Sequence, residues 1–195
     1  NGSTVVVYQL SQGDRGQVTL IAVDMATLEE VMRYEAPSTE YSLVDFAYSP
    51  AGDAFYVAWQ IPTPVEDSLE NSGSVLQRVE LATGEATDWL TEEAGAIFFI
   101  TPDLKLPYVY AMTLEMSNQR GEMGVRLVRF TEDGSTVLDN DGEAFGISTV
   151  LRCGSGGILY LRLDTPTDQE TRYELDPRYI HRVMMDEAGQ EETQL

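Results

Sequence analysis

The chain has 195 residues, of which 43% are hydrophobic, so it is long enough for one domain with a sizeable core. Asp and Glu number 33 against 12 Lys and Arg, which gives a net charge of −21. This charge repels phosphate backbones and anionic membrane surfaces and excludes unassisted nucleic-acid binding, whereas cations and basic partners are attracted. A single Cys and a single His exclude an internal disulfide framework and a Cys/His zinc cluster.

Short apolar segments with alternating or β-branched residues recur along the chain and predict strands. In chain order they cover residues 5–8, 18–23, 44–48, 55–61, 75–81, 97–100, 108–114, 125–130, 147–151 and 158–163. Turn sequences rich in Gly, Pro and Asp separate these segments. One stretch, 26–32, has helical propensity. Short strands at regular spacing predict an all-β fold.

An internal repeat of about fifty residues groups the strands into units. Phe46-Ala47-Tyr48-Ser49-Pro50 lies 52 residues before Phe98-Phe99-Ile100-Thr101-Pro102, and a third apolar segment follows after another 52 residues. A second element recurs between 23–27 and 79–83 and again between 128–134 and 183–189. Each unit therefore predicts a four-stranded antiparallel meander of the size of a propeller blade.

The repeat predicts a single β-propeller-like domain over residues 1–195, either complete or a fragment of a larger propeller. It consists of about four blades, over 1–40, 41–92, 93–143 and 144–195. By the same repeat, 26–30 is a hairpin turn and 30–34 an outer strand, against the local helical propensity. The two tryptophans, Trp59 and Trp89, are predicted to pack within the blades.

Residues 49–57, Ser-Pro-Ala-Gly-Asp-Ala-Phe-Tyr-Val, resemble the Ser-Pro-Asp-Gly turn and following strand of TolB-like and WD-repeat-like β-propellers. Thr101-Pro102-Asp103 is a partial second copy. In such a turn Ser or Thr caps the backbone, Pro fixes φ and Gly supplies a positive φ. The resemblance implies a propeller fold and does not by itself imply an activity.

Propeller geometry places the long loops together on one face. These loops cover 11–17, 62–74, 115–124 and 164–171 within blades, and 36–41, 91–95 and 140–146 between blades. The candidate binding residues on this acidic loop face are Glu40, Tyr41, Glu66, Asp67, Glu92, Glu93, Asp139, Asp141, Glu143 and Asp168. The alternative is that these acidic loops are simply solvated.

No catalytic or metal constellation is recognisable. The run 139–143 is acidic but fails the EF-hand spacing, because Val137 and Ser148 would be the first and twelfth residues. His181 has no nucleophile and acid placed beside it by sequence, and Ser155 lacks the Gly-x-Ser-x-Gly elbow. Cys153 stands at the repeat position of Ser49 and is expected to be a small turn residue. We expect no metal and no cofactor.

The first hypothesis for function is a non-enzymatic propeller module that binds proteins or serves as a scaffold, with no activity of its own. One alternative is the accessory propeller of a prolyl-oligopeptidase-like hydrolase, as the resemblance allows. Another is a carbohydrate- or cation-binding module that uses the acidic loop face. The acidic, Lys-poor composition favours a secreted or extracytoplasmic setting. The chain begins without Met and has no signal-peptide pattern, so a mature or trimmed segment is expected. It contains no apolar run of bilayer length, so no membrane insertion is expected within this segment.

A partner is expected at the ends of the array. Only residues 1–4 precede the first predicted strand, so the first unit lacks its inner strand. Unpaired strand edges are templates for association. We therefore predict pairing with another protein chain or with a second copy through the terminal strand edges.

Overall fold

The structure is a computed structural model, and it describes residues 4–10, 17–61, 73–89, 96–117, 122–140, 146–152, 157–163, 180–186 and 189–194. Within these ranges the chain forms strands and turns and no helix, so the all-β prediction is confirmed. The strands are β1 (Thr4–Leu10), β2 (Val18–Asp24), β3 (Glu30–Glu35), β4 (Ser42–Tyr48), β5 (Ala54–Gln60), β6 (Ser74–Glu80), β7 (Ala86–Asp88), β8 (Ala96–Pro102), β9 (Val109–Ser117), β10 (Glu122–Thr131), β11 (Gly134–Asn140), β12 (Gly146–Arg152), β13 (Ile158–Leu163), β14 (Ile180–Asp186) and β15 (Gly189–Gln194).

These strands form four antiparallel meander sheets, in which neighbours in the chain are neighbours in the sheet. The strand orders are β1-β2-β3, β4-β5-β6-β7, β8-β9-β10-β11 and β12-β13-β14-β15. Below they are called the first to the fourth sheet, and the first and last positions of a complete sheet are its inner and outer strands. The blade-like repeat read from the sequence is thus present as a repeat of sheets.

The first sheet has three strands and the other three sheets have four. Its β2–β3 turn and the β6–β7 turn are closed by equivalent backbone bonds. Leu28 N–H donates to the Asp24 carbonyl at 2.8 Å, and Gly84 N–H donates to the Glu80 carbonyl at 2.8 Å. This match makes β1 the counterpart of β5, so no strand of the described chain takes the place that β4 has in the second sheet.

The chain divides into two compact units, Asn1–Ile97 and Phe98–Leu195. In the first unit the first and second sheets pack through one buried cluster. Its members are Val6, Val18, Leu20, Ala22, Met32, Ala36, Phe55, Val57, Trp59 and Val79. In the second unit Tyr110, Met112 and Leu127 of the third sheet pack on Ile158 of the fourth. The assignment of all 195 residues to a single domain stays a prediction.

The segment with helical propensity forms a turn followed by a strand. The Asp24 carboxylate accepts hydrogen bonds from the Ala26 and Thr27 N–H groups at 2.7 and 3.0 Å, which fixes the turn. Hydrogen bonds from these two N–H groups lower the pKa of the Asp24 carboxyl below its ordinary value, and the bond from Thr27 has the larger effect. The outer strand expected over 30–34 is confirmed as β3. Pairing with β2 outweighs the weak helical preference of so short a segment.

One expectation about element bounds is wrong. Residues 115–124 are not all loop, because β9 continues to Ser117 and β10 begins at Glu122, with Glu122 opposite Ser117. The hairpin ladder therefore extends beyond the apolar segments that the sequence reveals. The outer strands β7, β11 and β15 gave no strand signal, since they contain few apolar residues.

Candidate functional site

The acidic loop face is described at the connection between β3 and β4. There the Ser38 hydroxyl accepts the Glu40 N–H at 3.1 Å, and the Ser38 carbonyl accepts the Tyr41 N–H at 3.2 Å. Glu40 is exposed, whereas Tyr41 is half-buried and packs against the core of the first unit. Tyr41 therefore has a packing role at the base of this loop, and Glu40 presents the charge.

One of the predicted loop residues lies in a strand. Asp139 is in β11, opposite Leu127, where a β-bulge between Leu127 and Val128 shifts the register. Its assignment to a loop is therefore wrong, because the β10–β11 hairpin pairs further than expected. The remaining predicted residues fall outside the described ranges, and their role stays a prediction: Glu66, Asp67, Glu92, Glu93, Asp141, Glu143 and Asp168.

A buried polar network joins the first and second sheets through Gln77 of β6. Its amide oxygen accepts hydrogen bonds from the Tyr34 hydroxyl at 2.6 Å and from the Trp59 indole N–H at 2.9 Å. Its amide nitrogen donates to the Asp88 carboxylate at 2.7 Å. Gln77 thus satisfies the buried indole N–H of Trp59, the half-buried hydroxyl of Tyr34 and the exposed carboxylate of Asp88 with a single side chain.

The network also sets the ionisation of Tyr34. Burial, followed by the negative charge of Asp88, raises the pKa of Tyr34 to about 12, and the bond to Gln77 opposes this rise. Tyr34 is therefore a neutral hydroxyl donor at physiological pH. Its ring also lies 6.4 Å from that of Trp59, centroid to centroid. The packing role predicted for Trp59 is confirmed, since its side chain is fully buried.

A second network joins the third and fourth sheets through Asp103, which follows β8 and has no exposed surface. One carboxylate oxygen accepts the Lys105 and Leu106 N–H groups at 2.8 and 3.0 Å. The other accepts the Gly157 N–H at 2.6 Å and the Tyr110 hydroxyl at 3.1 Å. The bond to Gly157 ties the β8–β9 turn to the start of β13.

Asp103 is ionised despite its burial. Burial raises the pKa of its carboxyl, but the three backbone donors and Tyr110 together outweigh burial, so that the pKa lies below its ordinary value. Burial and the Asp103 charge raise the pKa of Tyr110 far above its ordinary value. Nearby, the Arg129 guanidinium lies over the Tyr108 ring at 4.7 Å from its centroid. This side of the second unit therefore uses its charges to hold the fold.

The inner edge of the first sheet is the remaining feature that could bind a ligand, through the backbone of β1. Strand β1 pairs with β2 from Thr4 opposite Asp24 to Leu10 opposite Val18, and no strand of the described chain pairs with its other edge. The Tyr48 hydroxyl, at the end of β4, donates to the Thr4 carbonyl at 3.3 Å. Burial raises the pKa of Tyr48, and a hydrogen bond with the Val6 backbone opposes this rise.

The described residues contain no group of three His, Cys, Asp or Glu side chains that could hold a metal ion. Across the same parts of the chain, no helix has the length and apolarity needed to cross a membrane. What these residues do offer is hydrogen bonding: side-chain networks that hold pairs of sheets together, and an open strand edge.

The fold is shared with solved structures at low sequence identity. An oligogalacturonate lyase in complex with manganese matches 95% of this chain with a TM-score of 0.61 and 16% identity, over 51% of its own length. The tricorn protease matches 95% with a TM-score of 0.64 and 11% identity, over 17% of its own length. The acylaminoacyl peptidase of Pyrococcus horikoshii matches 97% with a TM-score of 0.59 and 12% identity, over 30% of its own length. Neither the known protein families nor the curated protein sequences include a match to this chain.

These structures have propeller-type folds, so the prediction of a β-propeller-like fold is confirmed. The chain spans about half the length of the lyase and smaller shares of the protease and the peptidase. At these identities the similarity shows the fold and carries no activity or ligand to this chain.

The expectation of a module without enzymatic activity is wrong as drawn from the sequence, because the solved structures that share this fold are those of a lyase, a protease and a peptidase. The expectation rested on the absence of a catalytic set from the sequence. That criterion fails for a chain that matches only part of an enzyme, since the catalytic residues can lie in another part. The extracytoplasmic location and the partner at the strand edges stay predictions.

Sequence reasoning missed both side-chain networks. Neither Gln77 nor Asp88 could be recognised from the sequence, because no sequence motif marks a buried glutamine or its partner. Asp103 lies in the partial second copy of the turn sequence, but the first copy has Ala51 at the equivalent position. The repeat therefore did not mark Asp103 as special. A search for Asp at the third position of each Thr/Ser-Pro turn would have found it.

Proposed function

We propose that this chain is part of the β-propeller of a larger hydrolase, in which the propeller accompanies a separate catalytic domain. The observation that carries the proposal is the small share of the two proteolytic enzymes that this chain matches. Nearly all of this chain corresponds to 30% of the acylaminoacyl peptidase and to 17% of the tricorn protease. In both cases most of the enzyme lies outside the matched part.

The use of polar side chains supports the same proposal. Asp103 and Gln77 bind backbone or side-chain groups of their own unit and are shielded from solvent. A catalytic acid or base must instead reach the substrate. The described residues therefore stabilise the propeller, and the reacting groups are assigned to the other domain.

The turn geometry favours TolB-like repeats for this propeller. The Ser49 hydroxyl accepts the Ala51 N–H at 3.3 Å, and Gly52 has a φ of 71°. These are the cap and the positive φ that the Ser-Pro-Asp-Gly turn requires.

The charge indicates which substrates such an enzyme would favour. A net charge of −21 attracts cationic groups and repels anionic ones. It therefore favours peptides with Lys or Arg, drawn in by the acidic loop face. It also disfavours the substrate named for the lyase, because galacturonate units carry carboxylates.

The test is to express the complete coding region that contains residues 1–195 and to treat it with a fluorophosphonate, which labels activated serines. We expect one labelled serine outside residues 1–195 and hydrolysis of peptide p-nitroanilides. A complete protein without any label or peptidase activity would contradict the proposal. Residues 1–195 alone are the control, and we expect no label on them.

A matched pair of substrates tests the role of the charge. A peptide with Arg should have a lower KM than the same peptide with Glu, and the difference should shrink as salt rises, because salt screens the field. Replacing Glu92 and Glu93 by Gln should raise the KM for the Arg peptide and leave kcat unchanged. Equal KM values for both peptides at low salt would show that the acidic loop face does not select substrates.

A further inference from the structure

Strand β1 holds a position that is paired on both sides in every other sheet. Its counterparts β5, β9 and β13 each lie between an inner and a third strand. In the described chain β1 pairs with β2 alone. Its seven residues, Thr-Val-Val-Val-Tyr-Gln-Leu, include no charged residue.

The outer edge strands differ from β1 in this respect. Strand β3 exposes Glu30, Arg33 and Glu35, and β7 is only three residues long and ends at Asp88. Strand β11 contains Asp139, and β15 contains Glu191 and Glu192. Charge and short length protect strand edges from pairing with other chains. The edge of β1 has neither protection, and β1 stands at the second position of its sheet, where β5, β9 and β13 are each covered by an inner strand.

The free backbone groups of β1 can be identified from the ladder. Because the Thr4 carbonyl accepts a bond from Tyr48 of the second sheet, it points away from β2. At the other end, the Val18 carbonyl accepts the Ala36 N–H on the β3 side, so the pair of Leu10 and Val18 exchanges no hydrogen bonds. Antiparallel ladders alternate, so Thr4, Val6, Tyr8 and Leu10 direct their N–H and C=O groups away from β2, and the Tyr48 side chain bonds the Thr4 carbonyl and the Val6 backbone.

We propose that this edge binds an extended peptide segment from outside residues 1–195, antiparallel to β1, which completes the first sheet as its inner strand. The chemistry of the segment follows from the inner strands of the other sheets. They are seven residues each, mostly apolar with at most one charge: Ser-Leu-Val-Asp-Phe-Ala-Tyr, Ala-Ile-Phe-Phe-Ile-Thr-Pro and Gly-Ile-Ser-Thr-Val-Leu-Arg. In each complete sheet this strand runs antiparallel to the second strand, as the pairing of β4 with β5 and of β12 with β13 shows. The proposal does not depend on the hydrolase assignment.

A second copy of this chain is the less suitable occupant. Two copies would bring net charges of −21 together, and like charges oppose association. If β1 paired with β1 of a second copy, the inner position of each first sheet would be filled by a strand of the second-strand type.

The test uses a peptide with the sequence of residues 42–50, blocked at both ends and labelled with a fluorophore, and the 195-residue protein. We expect saturable binding by fluorescence anisotropy. In the second sheet, the Ser49 N–H donates to the Ala54 carbonyl at 3.0 Å, so alternation makes Ala47 and Asp45 face β5 as well. The Phe46 N–H is instead bonded to the Asp45 carboxylate at 2.9 Å.

This alternation provides a matched pair of control peptides. N-methyl groups on the peptide residues that copy Asp45 and Ala47 remove two bonds to β1 and should weaken binding at least tenfold, at about fivefold per neutral hydrogen bond. N-methyl groups on the residues that copy Phe46 and Tyr48 face away and should change binding less than threefold. Equal effects of the two modifications, or no binding by the unmodified peptide, would overturn the proposal.

A variant of the protein tests whether the peptide binds at the edge of β1. In Tyr48→Phe the incoming strand no longer has to displace a hydroxyl from the Thr4 carbonyl, so the peptide should bind about fivefold more tightly. Equal or weaker binding by the variant would overturn the assignment to β1. Sedimentation of the protein alone should give a monomer, and a stable dimer that excludes the peptide would show that a second copy is the occupant.

Discussion

Gln77 shows how a single buried side chain can couple two sheets. Its amide oxygen serves both Tyr34 of the first sheet and Trp59 of the second, while its nitrogen serves Asp88. A hydrocarbon at this position would leave the hydroxyl and the indole N–H without an acceptor. A buried polar group without a partner costs about 1–3 kcal/mol.

We therefore expect Gln77→Leu to lower the free energy of unfolding by about 3 kcal/mol, measured by urea denaturation. The Tyr34→Phe change should cost about 1 kcal/mol in the natural protein but should recover stability in the Gln77→Leu background, because it removes a hydroxyl that has lost its acceptor. Gln60→Leu, at the end of β5 and outside this network, is the control. Additive costs of the two network variants would contradict the coupling.

Because of Asp103, the stability of the folded chain is expected to fall in acid. Its pKa is lower in the folded chain than the ordinary 3.8, so the folded state favours the carboxylate. The stability that Asp103 contributes is present above the ordinary pKa and is lost as the pH falls through the folded value. Asn cannot replace it, because either orientation turns the NH2 group toward N–H or O–H donors.

Asp103→Asn should accordingly lower the free energy of unfolding by about 2 kcal/mol at pH 7, and its difference from the natural protein should shrink below pH 3.8. Asp133→Asn, in the exposed β10–β11 turn, should change it by less than about 0.5 kcal/mol. A constant difference between Asp103→Asn and the natural protein from pH 7 to pH 2.5 would show that the charge of Asp103 is not the cause.

At the scale of elements, the two equivalent turns differ at one position. Leu28 has a φ of 61° where the β6–β7 turn has Gly84 with a φ of 72°. A left-handed conformation costs a non-Gly residue about 1–2 kcal/mol, and the Leu28 side chain is 73% exposed, so its packing recovers little.

Leu28→Gly should therefore stabilise the protein by about 1 kcal/mol in thermal or urea unfolding. Leu28→Ala is the matched control, because it removes the side chain but keeps the strained φ, and it should give no gain. If both variants had the same stability, the left-handed backbone at Leu28 would not be the source of strain.

The elements themselves were largely predictable from sequence. Apolar and β-branched residues located the inner and second strands, and the second strand β5 is buried along nearly its whole length, as Phe55, Val57 and Trp59 illustrate. The repeat corrected the helical propensity of 26–32 by supplying long-range context. Outer strands such as β7 were not recognisable, because Ala86, Thr87 and Asp88 are all exposed and contribute no apolar residue to the core.

The candidate site was less predictable than the fold. Among the acidic loop residues, the described ones show that Glu40 is exposed and that Tyr41 packs on the core. Residue type and loop position cannot separate these two outcomes, because they depend on which neighbours fill the space below the loop. The open edge of β1 followed directly from counting strands in the repeat.

At the scale of the whole molecule, the central claim is that the described residues form three complete four-stranded sheets and one three-stranded sheet without an inner strand. Amide hydrogen exchange resolved by NMR tests this most directly, because exchange reports whether each N–H is bonded. In β1, the N–H groups of Val7 and Gln9 face β2 and those of Tyr8 and Leu10 face the free edge. We predict slow exchange for Val7 and Gln9, fast exchange for Tyr8 and Leu10, and slow exchange for all central residues of β5, which has a strand on each side. Slow exchange of Tyr8 and Leu10 in the 195-residue monomer would contradict the claim, because it would show that the edge of the first sheet is already covered.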